Sequence, residues 1–292
     1  MAYKGIRNHY RSDMPFFEKL SKDLKGLISD SILWIKNGGK LGIIVTYPDF
    51  PSNKTTIQKI AKKLGYRLSN RTVPSPDVIL FFENTTDKSA FNDPALKPYR
   101  NVLNRNCKDI SKKMVDAVHQ QVFGYCTIID PLNHKGIAVI KSDENAMHDG
   151  KIVTCPLTEI DESRVYQVLI DNSLDAHSVV DLRVPVIGNM IPLVYQKFKT
   201  NALRFTNEVF KSSLHKTDEL LSKKEQLEIL EFAKQMKVDF AELDVLRDNS
   251  SGKIYAIDVN TTPYGPPKGL SAEEDKTALD ILSRAFHEEF LT

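Results

Sequence analysis

Residues 239–267 read DFAELDVLRDNSSGKIYAIDVNTTPYGPP. Two runs rich in β-branched and apolar residues, 240–246 and 253–259, flank turn residues at 248–252, the pattern of two strands that pair as a hairpin. Side chains alternate faces along a strand. Glu242, Asp244 and Leu246 are therefore expected on one face, with Leu243 and Val245 on the other. On the second strand Ile254, Ala256, Asp258 and Asn260 are expected opposite Tyr255, Ile257 and Val259. Acidic and amide groups thus gather on one side of a hairpin whose other side is apolar. Carboxylates crowded away from water are costly without a counter-charge. A hard divalent cation removes that cost, and Mg²⁺ typically takes one or two carboxylates together with phosphate oxygens and waters. The plainer alternative is a polar hairpin side that faces solvent.

Just upstream, Ser222 and Glu225 form a capping-box pattern, and Ile229, Phe232, Ala233 and Met236 repeat at helical spacing. Gly188-Asn189 is a hairpin turn between strand runs at 179–187 and 190–198, and 164–170 is a further strand. Downstream, a last helix starts at Ser271, again with Glu three residues later, and turns Ala278, Ile281, Leu282 and Ala285 inward. Farther upstream the spacing predicts strands at 125–129, 136–141 and 151–155, and a helix over 109–121 with Ile110, Met114, Ala117 and Gln121 near one face. The segment SDENAMHDG (142–150) is small, polar and ends in glycine. Residues 84–98 are turn-rich and mark a boundary. Before them lie a helix over 15–36 with Phe16, Phe17, Leu20, Leu24, Leu27, Ile28 and Trp34, a buried strand at 41–47, a helix carrying Ile57, Ile60, Ala61 and Leu64 and ending at Gly65, and a strand at 77–82. Strand, helix, strand with short links reads as a parallel βαβ unit. The order is an α/β domain over 1–98 and then an antiparallel-rich α+β region over 99–292.

In this arrangement the chain resembles the ATP-grasp enzymes over roughly residues 100–270, which end in a strand pair with Asp on the first strand and Glu-x-Asn, shortly followed by Pro, on the second. Asp244, Asp258, Asn260 and Pro263 stand in those positions, Asp258 being the shorter acid where ligases carry Glu. The resemblance implies a pre-ATP-grasp domain over 1–98, then a two-lobed ATP-grasp domain with antiparallel sheets, its small lobe about 105–165 and its large lobe about 166–292. It implies ATP and Mg²⁺ as cofactors, the metal held by Asp244, Asp258 and Asn260. Lys141, which ends GIAVIK before the 142–150 loop, takes the place of the phosphate lysine, with Gly150 in that loop. His148 reads as a loop residue near phosphate or as a plain surface histidine. The family's second lysine falls on Lys112 or Lys113, of which Lys113 is taken. Tyr166, Gln167 and Leu169 in YQVLIDN match the adenine linker loosely, and Arg183 matches a phosphate contact on the next strand. Lys197, Lys199 and Arg204 follow and could meet the transferring group; Arg183, Arg204 and Lys199 are taken as catalytic. The sequence departs from the pattern at Glu242, where several carboxylate–amine ligases place the arginine that stabilises the oxyanion. Arg204 or Arg247 would then have to serve. Asp-x-Asn is also similar to the inositol-phosphate kinases of the same fold.

The chain has 292 residues, 41% hydrophobic and 27% charged, with net charge +2, so no global field demands nucleic acid or a membrane. Its apolar runs reach about five residues, against the ~20 of a membrane span. Residues 1–14 contain no apolar targeting core, and Cys107, Cys126 and Cys155 lack metal or redox spacing and read as buried free thiols, so a cytoplasmic protein is expected. The expected activity is an ATP- and Mg-dependent ligase that joins a carboxylate to an amine through an acyl phosphate. A small-molecule kinase phosphorylating a hydroxyl acceptor is the runner-up, and a nucleotide-binding regulatory module the third reading. The expected partners are ATP and a small carboxylate or hydroxyl acceptor, with the oligomeric state left open.

Overall fold

The computed structural model describes residues 5–10, 13–88 and 90–292; residues 1–4, 11 and 12 of the stretch read for targeting, and residue 89 of the turn-rich boundary, lie outside the described residues. Helix α1 (Phe16–Lys36) leads into β1 (Ile43–Pro48), α2 (Thr56–Leu64), β2 (Arg67–Ser69), β3 (Val78–Phe82) and β4 (Val102–Leu103). These four strands form a parallel sheet in the order β2-β1-β3-β4. Helix α2 ends where expected, at Gly65 with φ +74°, a backbone conformation that favours glycine. The strands β2 and β4, three and two residues long, are too short to carry a periodic signal. Through β4 the sheet runs past residue 98.

Helix α1 forms, but its apolar side faces outward: Phe17 is 80% exposed and Leu24 59%, whereas Lys19, Asp23, Gly26 and Asp30 are its buried residues. The cause is a polar clasp. Arg7 makes two hydrogen bonds with Asp30 at 2.6 and 2.8 Å, and Asp23 accepts from Ile6 N–H and the Tyr10 hydroxyl.

The middle of the chain builds α3 (Lys112–Phe123), β5 (Gly136–Ser142), β6 (Lys151–Cys155) and β7 (Arg164–Val168), the strands antiparallel in the order β6-β5-β7. Ser111 caps α3 by accepting from Met114 N–H. The helix buries Val115, Val118 and His119, while Met114, on the face read from the sequence with Ile110, is 40% exposed. Buried Asp116 sets this rotation, because it accepts from the Thr127 N–H and hydroxyl and from Ile128 N–H. Those bonds take the place of a strand ladder, so the run at 125–129 contributes only the bridge Ile128–Gln167. Cys107 and Cys155 are buried, but Cys126, in this irregular segment, is exposed.

The remainder forms β8 (Ser178–Ile187), β9 (Val194–Thr200), β10 (Lys211–His215), α4 (Thr217–Leu220), α5 (Lys223–Gln235), β11 (Phe240–Arg247), β12 (Ile254–Asn260) and α6 (Ala272–Phe290). The five strands are antiparallel in the order β10-β9-β8-β11-β12. One sheet face packs Val184, Leu243, Val245 and Ala256 against Phe232 and Ile229 of α5. Helix α6 joins α2 in a second core with Ile57, Leu282 and Phe286. Ser222 and Ser271 both make the expected capping boxes.

The 240–260 hairpin forms with one departure. Asp244 pairs with Asp258, but Val245 pairs with Ala256, so Ile257 is extra and the ladder carries a bulge. Below it, Ile254 and Ala256 turn into the core with Val259; above it, Ile257 and Asp258 both line an open cleft. The expected common face of Ile254, Ala256, Asp258 and Asn260 is therefore broken, because one inserted residue reverses the alternation.

The parallel sheet is tied to β11 by Asn104, which is 1% exposed with φ +59°. Its amide oxygen accepts from the N–H groups of Asp239 (2.7 Å) and Phe240 (2.9 Å), and its amide nitrogen donates to Phe240 O (2.7 Å). Asn104→Ala leaves these buried groups unpaired at about 1–3 kcal/mol each. Urea unfolding of this variant should show a loss of about 3 kcal/mol or more, and a loss under about 1 kcal/mol would mean that the clasp contributes nothing.

Candidate active site

The cleft lined by Ile257 and Asp258 lies between the β5-containing sheet and the five-stranded sheet; it is open to solvent and holds a cavity of ≈ 140 Å³. The large-lobe floor is built around Arg183 on β8, whose register partner on β11 is Asp244. The guanidinium grips that carboxylate through two bonds, Nε to Oδ1 and Nη2 to Oδ2, both 3.0 Å, and Nη1 reaches Glu242 Oε2 at 3.4 Å. Lys197 Nζ on β9 adds a bond to Asp244 Oδ1 at 3.1 Å. Burial would raise the pKa of Asp244, but Arg183 and Lys197 outweigh it and hold the carboxyl well below its usual range. Glu242, only 2% exposed, is pushed up by burial. Asp258 is also pushed up, first by burial, with Asp244 adding to the rise and Lys112 opposing it.

The small-lobe side supplies Lys141 at the end of β5 and Lys112 at the start of α3, both lining the cleft. Burial, then repulsion from Lys112, pushes Lys141 down to about 8. Lys112 Nζ donates to Glu144 O at 2.8 Å and holds the 142–150 loop. That loop is pinned elsewhere by Asn145, whose amide donates to Val259 O and whose N–H reaches the Thr86 hydroxyl. Asp149 folds back onto Arg164 at 2.6 Å. His148 (φ +51°) lines the cleft beside Asn207, its pKa lowered by burial. A Cβ on Gly150 would lie 2.9 Å from Cγ of Phe205, so glycine is what allows this close approach.

Of the sequence-predicted residues, Lys141, His148, Gly150, Gln167, Leu169, Lys199, Arg204, Asp244 and Asp258 all line the one cleft. Others fall elsewhere. Lys112 lines it and Lys113 does not: the two are about 100° apart on the helix, and Lys113, with 58% of its side chain exposed, points to Asp143. Tyr166 faces away, its hydroxyl accepting from Asp161 N–H, and Gln167 donates to Thr127. Asn260 spends its amide oxygen on Thr262 N–H (2.9 Å) and lines an adjoining cleft. Arg183 lies beneath the floor, engaged with the two acids. Arg204 lines the cleft at the linker, where its Nη2 donates to Ile170 O (3.2 Å) and Asn172 Oδ1 (2.9 Å). Arg247 is bound to Glu225 at 2.6 Å and does not line the cleft.

The sequence reading missed Asp181 and Asn172. Asp181 holds Lys199 at 2.7 Å and accepts from Asn172, completing a buried chain from Arg204 to Lys199. The parity of Asp181 with Arg183 on β8 was the one local signal for it. Among the side chains that line the cleft, Lys112, Lys141, Lys199 and Arg204 balance Asp149, Asp181, Asp244 and Asp258, with Arg183, Lys197 and Glu242 beneath the floor.

No group of three or more His, Cys, Asp or Glu side chains among the described residues is arranged to hold a metal by itself. The donor set nevertheless fits Mg²⁺, which takes one or two carboxylates and completes its shell from phosphate and water. Asp258 is the acid with capacity to spare: among its side-chain hydrogen bonds one oxygen accepts from Val259 N–H, and it faces the cleft.

No family model and no curated protein matches the sequence. Solved structures do. The VanG D-Ala:D-Ser ligase of Enterococcus faecalis is similar at a TM-score of 0.57, with 10% identity over 86% of this chain and 99% of that one. The ATP-grasp ligase PsnB, complexed with a phosphomimetic variant of its minimal precursor, Mg and ADP, gives 0.54 with 12% identity over 86% and 99%. The D-alanine–D-alanine ligase of Bacillus anthracis gives 0.51 with 14% identity over 86% and 97%. The chain has the ATP-grasp fold, with a parallel sheet followed by two antiparallel sheets that border one cleft. No helix among the described residues is long and apolar enough to cross a membrane.

Lys141 yields a pH prediction. Its ammonium is charged below about pH 8 and loses its proton above it, so attraction to phosphate falls as the pH rises through that value. Calorimetric ATP affinity should therefore weaken between pH 7 and 9.5. Lys141→Arg, charged throughout, should abolish that slope, and Lys141→Ala should cost about tenfold or more at pH 7, the worth of a charge-assisted bond of roughly 1.5–3 kcal/mol. Equal affinities for all three proteins would remove Lys141 from the site.

Proposed function

We propose that the protein is an ATP- and Mg-dependent ligase that joins a carboxylate to an amine. A carboxylate oxygen of the acid attacks the γ-phosphorus of ATP and ADP leaves, giving an acyl phosphate. The amine then attacks the acyl carbon, inorganic phosphate leaves, and the amine proton passes to solvent. Such chemistry rests on positioning and charge neutralisation, not on a protein nucleophile.

The observation that supports this reading is the set of cleft-lining lysines, Lys112, Lys141 and Lys199, facing the carboxylates of Asp244 and Asp258 on a fold shared with solved ligases. Ligases of this kind place an arginine where this chain has Glu242, and here Arg183 answers Glu242 and Asp244 from beneath the floor. In this reading Lys141, Lys112 and Lys199 hold phosphate oxygens, and Gln167 and Leu169 border the base. Asp258 and Asp244 would hold Mg²⁺, which supplies charge neutralisation on the phosphates when bound. Arg183 and Lys197 act on Asp244 and fix its orientation. The acid and the amine would enter along the adjoining clefts, which share Asn84 and Thr262 and reach the ends of β1 and β3.

A second reading, phosphoryl transfer to an alcohol, is favoured by Glu242 itself. A buried carboxylate with a raised pKa can accept the proton of an attacking hydroxyl.

Hydroxylamine separates the two. With ATP, Mg²⁺ and a panel of amino acids and short peptides, the ligase forms a hydroxamate and ADP in equal amounts. Asp258→Asn should lower that turnover by at least about a hundredfold, as lost transition-state electrostatics typically do, while the thermal midpoint stays unchanged. A phosphorylated alcohol without hydroxamate would replace the ligase reading with the kinase one.

A further inference from the structure

The outward face of α1 is a large apolar feature among the described residues that the cleft does not use. Phe17, Leu20, Leu24, Leu27, Ile28 and Trp34 are each between 43% and 80% exposed on it, with Ile32 and Ile35 beside them. This orientation is specified by the sequence. The opposite face carries Asp23 and Asp30 in the clasp of Arg7 and Tyr10, and a Cβ on Gly26 would meet the Arg7 side chain at 2.5 Å. Turning the apolar side inward would strand those buried charges. We infer that this face is the interface of a symmetric dimer of the chain, formed by two α1 helices packed antiparallel.

Two observations select a second copy as the occupant. The first is area. With the two rings at roughly 150–250 Å² each when fully exposed, the six aliphatic side chains somewhat smaller, and all eight between 43% and 80% exposed, the face offers on the order of 800 Å² per copy. That exceeds the roughly 300–600 Å² of the largest apolar patch on a typical monomer and equals the ~800 Å² per partner of a standard stable interface. The second is symmetry. Phe17, Leu20, Leu24, Leu27, Ser31 and Trp34 follow the alternating three- and four-residue spacing of a helix-packing seam. Two copies centred between Lys25 and Gly26 bring Phe17 against the partner's Trp34, Leu20 against the partner's Ser31, and Leu24 against the partner's Leu27. The large ring at each end meets a ring, and small Ser31 makes room for Leu20. No charged residue lies in the seam, so the pairing sets no like charges face to face.

Sedimentation of the full chain tests this directly. The wild type should run at twice the 33.1 kDa chain mass at micromolar concentration, and Leu24→Glu with Leu27→Glu at the single-chain mass with unchanged far-UV circular dichroism and ATP affinity. Trp34 is the single tryptophan of the chain, so its emission should shift to the red when the wild type is diluted and be red-shifted at every concentration in the double variant. In a Cys126→Ser background, Leu20→Cys and Ser31→Cys chains should cross-link to each other when mixed under oxidising conditions. A wild type that sediments as a single chain, or a dimer indifferent to the two glutamates, would overturn the proposal. Single-chain wild type captured by anionic phospholipid vesicles would overturn it in favour of a lipid surface.

Discussion

The rest of the site depends on the bond between the Arg183 guanidinium and the carboxylates of Asp244 and Glu242. Two acids two residues apart on a central strand can be taken out of water only against a cation that meets both, and removing one partner of such a buried pair costs about 3–5 kcal/mol. The antiparallel register supplies that cation, setting Arg183 directly across from Asp244 and Pro185 across from Glu242. Proline cannot complete the ladder from its nitrogen, and a charged side chain there would compete for the same space. The neutralised pair leaves Asp258, one strand farther on, as the carboxylate whose charge is not answered from within the sheet. Arg183 and Lys197 organise the floor, and Asp258 faces the cleft, with Lys112 and Lys141 as its opposing charges.

The two lobes treat charge differently. The cations of the five-stranded sheet are held by acids, Lys199 by Asp181 and Lys197 by Asp244. On the small lobe, Lys141 is set by burial and by Lys112, with acids acting on it only at longer range. An anionic ligand would therefore meet a fixed floor and a roof with charge to spend. The 142–150 loop of the roof is held by bonds from Lys112 to Glu144 O and from Asn145 to Val259 O and the Thr86 hydroxyl, and by the ion pair of Asp149 with Arg164. Gly150 limits how it closes, since it lies against Phe205 with no space for a side chain.

The bulge beside Asp244 has a consequence larger than its one residue. It lets β12 send Ala256 into the core and Ile257 and Asp258 together into the cleft, an apolar wall next to an acid. A regular ladder would have put Ile257 in the core and Ala256 beside the acid, leaving the core short of space and the cleft without that wall.

By itself the sequence determined the elements whose signal is local. The strand pair at 240–260, the lysine that ends β5 before a polar loop, the capped helices at Ser222 and Ser271, and the turn at Gly188-Asn189 are written in residue spacing, because alternation and capping chemistry act over a few residues. The tertiary structure decided what those elements meet. Lys112 and Lys113 are chemically identical neighbours, and only the docking of α3, fixed by Asp116 on Thr127, says which one reaches the cleft. The partner of Glu242 is 59 residues away in the chain, and Arg204 closes a bond with a linker 32 residues before it. The apolar stripe of α1 was legible, but its direction was set by Arg7 and Tyr10 from outside the helix. Spacing reports which side chains share a face; which face is turned inward depends on long-range contacts that no local pattern encodes.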